Sequence, residues 1–132
     1  MSASFLHLLI VAGGGAIGAG GRHLVNQMML RLLGPSFPWG TLFVNIVGSL
    51  AMGLLIGGVV RWMPVGSAQN ARLFLATGVL GGFTTFSAFS LDVAVLWQRG
   101  AVATAAGYVA VSVFASILAL FFGLWVMRGL EP

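Results

Sequence analysis

The run Gly81-Gly82-Phe83-Thr84-Thr85-Phe86-Ser87-Ala88-Phe89-Ser90 concentrates groups that could bind something within ten residues: two glycines, four hydroxyls and three phenylalanines. Elsewhere, Asn45 follows Thr41 by four residues and shares its helix face. Thr104, Tyr108, Ser112 and Ser116 recur every four residues, a polar stripe that winds slowly around a helix. Phe86 and Phe89 are three apart on one face, and an aromatic ring carries a positive edge. Ring edges framed by hydroxyls and an amide suit a small anion. No acidic ring is present, which argues against a cation pathway. A large organic anion would recruit paired arginines, and Arg22 alone lies within an apolar segment; a small, hard halide fits better. Taken singly, serine and threonine also bond the carbonyl one turn earlier, and phenylalanines pack. Asn45 is different, because an amide buried at mid-membrane costs several kcal/mol unless satisfied, so it must face a partner or a ligand.

Enzymatic chemistry would need a nucleophile with a base, or a metal cluster. His7 and His23 have no partner at ligand spacing, and there is no cysteine, so thiol chemistry and disulfides are excluded while the redox compartment stays open. Gly13-Gly14-Gly15 lacks the preceding strand and the following Lys-Ser/Thr of a phosphate loop. No enzyme is expected.

These groups sit in a very apolar chain of 132 residues, 59% hydrophobic and 6% charged, with a mean hydropathy of +1.06. Soluble proteins carry about a quarter charged residues. The six arginines are scattered singly, without the basic face that nucleic acid requires, and suit anchoring at lipid headgroups. Hydropathy divides the chain into four spans, about 5–33, 39–60, 73–97 and 101–127, each near or beyond the length that crosses about 30 Å of hydrocarbon. The expectation is one all-α transmembrane domain of four helices. The first run lacks a basic start and precedes further spans, so it reads as retained rather than as a signal peptide.

Four spans place both termini on one side. Arg61, Arg72 and Arg128 then face Arg31 and Arg99, with Arg22 nearby, and the positive-inside bias that fixes orientation almost vanishes. Such a chain can insert both ways up and pair as an antiparallel dimer; the alternative is a partner that fixes one topology. A single four-helix bundle leaves little room for a path. Gly14 and Gly18, Gly53 and Gly57, Gly78 and Gly82, and the series Ala115, Ala119, Gly123 are spaced for close helix contact in lipid. The Gly81–Ser90 run predicts a break in the third helix. At that depth, irregular backbone survives only when buried in protein, lining a cavity or holding an ion.

Three motifs then carry a likeness: Gly18-Ala19-Gly20-Gly21-Arg22, Trp39-Gly40-Thr41-Leu42-Phe43-Val44-Asn45, and the run Gly81 to Ser90. Over nearly its whole length the chain resembles the CrcB/Fluc fluoride ion channel family. The resemblance implies a dual-topology homodimer of antiparallel subunits in the bacterial inner membrane, with two fluoride pathways and passive export of fluoride. By motif, Phe86 and Phe89 match the family's pathway phenylalanines and Asn45 its pore asparagine. Tyr108, Ser112 and Ser116 match its polar track, and Arg22 matches an arginine near the vestibule; Thr41 shares the Asn45 face. The resemblance further implies a structural sodium ion held by backbone carbonyls of both subunits, mapping to Gly81 and Thr84. Asp92 stands where relatives often have glutamate, and a helix-end partnership with Arg99 is equally open to it. A small multidrug exporter would need a carboxylate in the first span, and none lies between Met1 and Leu33. An assembly subunit would scatter its polar residues without a shared face.

Overall fold

The computed structural model describes residues 2–59 and 61–130. It is all helical: α1 Ala3–Leu33, α2 Trp39–Leu54, α3 Val65–Ala71, α4 Gly81–Phe83, α5 Phe86–Gln98 and α6 Val102–Arg128. Two π-helical stretches extend this order, Leu55–Val59 after α2 and Arg72–Leu80 between α3 and α4. Four helices are long and apolar enough to cross a membrane: Ala3–Leu33, Trp39–Gly58, Val65–Gln98 and Val102–Arg128. The expected boundaries hold to within a few residues, except that the third span begins at Val65. Pro64, extended at ψ 145°, precedes a seven-residue helix that winds straight into the apolar stretch. Val60, the expected end of the second span, and Glu131 lie outside the described residues. Left-handed glycines end the turns: Gly34 (φ 80°) closes α1 through its N–H to the Leu30 carbonyl, and Gly100 (φ 78°) lies between α5 and α6.

Close approach of backbones holds the helices together. Carbonyls of the wide π-helical turns stand over α1: a Cβ on Gly14 would strike the Phe74 carbonyl, and one on Gly18 the Val79 carbonyl. Gly82 approaches α1 in return, where a Cβ would lie 3.0 Å from the Gly15 Cα and 3.1 Å from the Ala19 nitrogen. In the second seam, between α2 and α6, Gly53 meets the Leu120 carbonyl and Gly57 meets Leu124 and Met127. The paired glycines seen in the sequence thus pack within the chain, where close contact and dispersion replace the hydrophobic effect that lipid removes.

These seams position the break. The π-helical stretch and α4 pack on α1, whereas α5 packs on α6 and α2. Between them Thr84 (ψ 157°) and Thr85 (φ −156°, ψ 121°) are extended. The third span is therefore broken at Thr84–Thr85, where the sequence predicts it, and its second half changes partners. Under that half lies a small core of Leu42, Phe89, Leu96, Ala105 and Tyr108.

The Gly53→Ala substitution should destabilise the detergent-solubilised protein by about 1–3 kcal/mol, because the obstacle is the Leu120 backbone. Gly13→Ala, whose Cβ meets nothing within 4 Å, should not. Thermal melting of both variants checks the contrast.

Candidate functional site

Asn45 holds the break. Its Oδ1 accepts the Thr85 N–H at 2.8 Å and its Nδ2 donates to the Thr85 carbonyl at 3.1 Å. A single amide, arriving from another span, thus satisfies both backbone groups of one residue. In an unbroken helix the Thr85 N–H would bond the Gly81 carbonyl; Asn45 takes that donor and releases Gly81. One turn on, the Thr85 Oγ1 caps α5 by accepting the Ala88 N–H at 3.1 Å, the donor that an unbroken helix would give to the Thr84 carbonyl. The two released carbonyls, Gly81 and Thr84, are oxygen ligands suited to a hard cation. Among the described residues no cluster of His, Cys, Asp or Glu could hold a metal.

Beside the clamp lies a groove of about 270 Å³ whose walls include Asn45, Ser49, Phe86, Phe89, Ser112 and Ser116. Phe89 is buried and Phe86 is 77% exposed, with ring centroids 5.4 Å apart. The Oγ atoms of Ser112 and Ser116 are buried and unbonded. An unbonded buried hydroxyl is costly in apolar surroundings, and here two stand one helical turn apart on the groove side of α6. Asn45 also keeps a second amide hydrogen after its bond to Thr85. The groove is thus lined by hydroxyls, an amide and two phenylalanines, with no carboxylate among its residues.

Tyr108 does something else. Its hydroxyl donates to Asp92 Oδ2 at 3.0 Å, so its single proton is directed away from the groove. The ring is 1% exposed and stacks between Phe89 (5.3 Å) and Phe37 (5.4 Å, edge-on), which in turn meets Trp39 at 4.6 Å. Trp39, Phe37, Tyr108, Phe89 and Phe86 form one chain of rings. It links the groove to a second cavity of about 300 Å³ lined by Asn26, Thr41, Asp92 and Arg99 among others. Thr41 is buried at that second cavity, beside Tyr108. Asp92 serves Tyr108 and forms no ion pair with Arg99 among the described residues.

Of the expected residues, the structure brings Asn45, Phe86, Phe89, Ser112 and Ser116 into one groove, places Tyr108 behind Phe89 and puts Thr41 at the second cavity. Arg22, half-buried on α1, does not line it. Thr104, on the expected stripe, is exposed. Ser49 is a groove residue the sequence reading missed, although its signal was available: it continues Thr41 and Asn45 by one more turn.

The family model described as "CrcB-like protein, Camphor Resistance (CrcB)" matches residues 9–124. Among curated relatives, the chain is 58% identical over 124 residues to the "Fluoride-specific ion channel FluC" of Mesorhizobium japonicum, covering 94% of this chain and 98% of that one. It is 60% identical to the protein of the same name from Chelativorans sp., with the same coverage. With that of Agrobacterium fabrum the identity is 52% over 125 residues, covering 95% and 98%.

Replacing Asn45 with leucine should strand both backbone groups of Thr85 and lower stability by about 1–3 kcal/mol. Hydrogen exchange that quickens at the Thr85 amide but not within α5 is the expected signature; unchanged exchange at Thr85 would show that the break holds itself.

Proposed function

The chain belongs to the CrcB-like family, and on that footing we propose that it is a fluoride-selective channel that lets fluoride leave the cell passively. The observation that carries this reading is the groove: unbonded Ser112 and Ser116 hydroxyls, the Asn45 amide and the Phe86–Phe89 pair in one wall, without a carboxylate. The relatives are named as fluoride-specific channels, and fluoride, small and strongly hydrated, demands closely spaced donors in place of its water. Ring edges and neutral hydroxyls do this while binding weakly enough to let the ion go. Fluoride that enters acidified surroundings as HF then leaves as the anion down its gradient.

The working unit in this reading is an antiparallel homodimer. The groove is a single wall, and Phe86 projects from it at 77% exposure; a second copy would supply the opposite wall and duplicate the pathway. Arg22 then serves the approach to the path rather than its narrow part.

A structural sodium ion fits the break. The Gly81 and Thr84 carbonyls are both deprived of their helical donors, by Asn45 and by Thr85 Oγ1. Both would be ligands, with their counterparts from the second copy. The bound ion would neutralise those carbonyls and add a positive potential beside the path. Asn45 and Thr85 contribute by keeping the carbonyls free.

Liposomes containing only this protein should release fluoride and retain chloride. Phe86→Ile or Phe89→Ile should cut fluoride release at least tenfold while the protein elutes unchanged on gel filtration; unaltered release would remove the ring-edge role. Exchanging sodium for a larger monovalent cation should lower the thermal midpoint of the solubilised protein, and an identical midpoint in both salts would argue against the ion site.

A further inference from the structure

The hydroxyls near the groove divide into engaged and open ones. Thr84 Oγ1 donates to the Leu80 carbonyl at 2.9 Å and Ser90 Oγ to the Phe86 carbonyl at 3.0 Å, the usual self-satisfaction of a helical hydroxyl in lipid. Ser112 and Ser116 do not do this. Neither does Ser49: it lines the groove, and its hydroxyl makes no hydrogen bond among the described residues, the carbonyl one turn earlier included.

The packing of α2 on α6 gives this third open hydroxyl its place. Gly53 sits against Leu120 and Gly57 against Leu124, so the two helices run in the same direction at a constant offset in sequence. The same offset pairs Thr41 with Tyr108, Asn45 with Ser112, and Ser49 with Ser116. The polar residues of the two helices thus form the rungs of a ladder along one seam, and Ser49–Ser116 is its last rung. One turn further the seam closes. The Leu120 carbonyl stands over Gly53, and a Cβ on Gly123 would lie 2.7 Å from the Leu50 carbonyl and 2.8 Å from the Leu54 nitrogen. Backbones in such contact leave no room for an ion, and the carbonyl oxygens there would repel an anion.

We propose that Ser49 is a fluoride-binding residue: with Ser116 it forms the terminal donor pair of the seam, where the ion must turn out of the α2–α6 interface and pass Phe86. This inference rests on the channel reading above and adds to it a residue and a direction of travel. The ion is held between hydroxyls on two helices at the point where the glycine contact blocks further progress. From there the ion turns toward the exposed Phe86 side of the groove.

The test is fluoride efflux from liposomes containing the full chain with Ser49 replaced by alanine, threonine or cysteine. The alanine variant should release fluoride about fivefold more slowly, the factor corresponding to one hydrogen bond's net worth. Threonine, which keeps the hydroxyl, should stay within about twofold of the unsubstituted protein. Cysteine, of similar size but a weak donor, should behave as alanine does. Efflux from the alanine variant equal to that of the unsubstituted protein would overturn the assignment. So would a threonine variant as slow as alanine, since side-chain size rather than the hydroxyl would then govern the rate. Gel filtration of each variant shows whether it is folded, and the cysteine variant decides the matter if alanine disturbs packing. Absence of fluoride efflux from the unsubstituted protein would instead overturn the channel reading, and this rung with it.

Discussion

A helix that stops hydrogen-bonding to itself inside hydrocarbon must find its partners in the same protein, and here the amide of Asn45 meets that requirement. Three features depend on its two bonds to Thr85. They hold Thr84 and Thr85 extended, so that α5 can leave the α1 side and pack on α6 and α2. They free the Gly81 carbonyl. They also aim the first turn of α5 so that Phe86 and Phe89 reach the groove. Thr85 completes the arrangement by capping the new helix with its own hydroxyl. At the break, side chains thus satisfy the Thr85 N–H and carbonyl and the Ala88 N–H, while the Gly81 and Thr84 carbonyls are left open.

The two glycine seams supply the rigidity that such a clamp needs. Because the neighbours of Gly14, Gly18, Gly53 and Gly123 are backbone atoms, none of these contacts can be relieved by a rotamer change. The wide π-helical turns of Arg72–Leu80 belong to the same economy of space, turning carbonyls toward the bare faces of Gly14 and Gly18. A π-helical stretch next to a functional break is a recurrent pairing.

Much of this was legible in the sequence: the four spans, the position of the break, the glycine pairs, and the grouping of Asn45 with Phe86, Phe89, Ser112 and Ser116. What escaped has specific causes. Asn45 was readable as a residue needing a partner. That the partner is the Thr85 backbone depends on a contact across 40 residues, which no spacing reveals. Thr104 was read as part of a stripe, yet four-residue steps overshoot the 3.6-residue turn by about 40° each. Three such steps carry it away from Ser116 and onto the outer surface. Ser49 escaped because the four-residue step from Thr41 to Asn45 was not carried one turn further. The π-helical turns come from packing against α1, and residues 72–80 carry no local signature of them.

Tyr108 shows how an acidic side chain and a groove lined by open donors can share one small bundle. The phenol lies between them: its ring edge-packs with Phe37 and contacts Phe89 on the groove side, while its proton goes to Asp92. A hydroxyl has one proton to give. With that proton committed to the carboxylate, Tyr108 offers the groove side an aromatic surface, and the open donors there are those of Asn45 and the serines. The carboxylate for its part sits at the other cavity, beyond the ring, with one oxygen hydrogen-bonded. Interposing a buried ring separates the Asp92 carboxyl group from the open donors of the groove. Removing the phenol hydroxyl would leave Asp92 without that partner, while the donors of the groove would stay as they are.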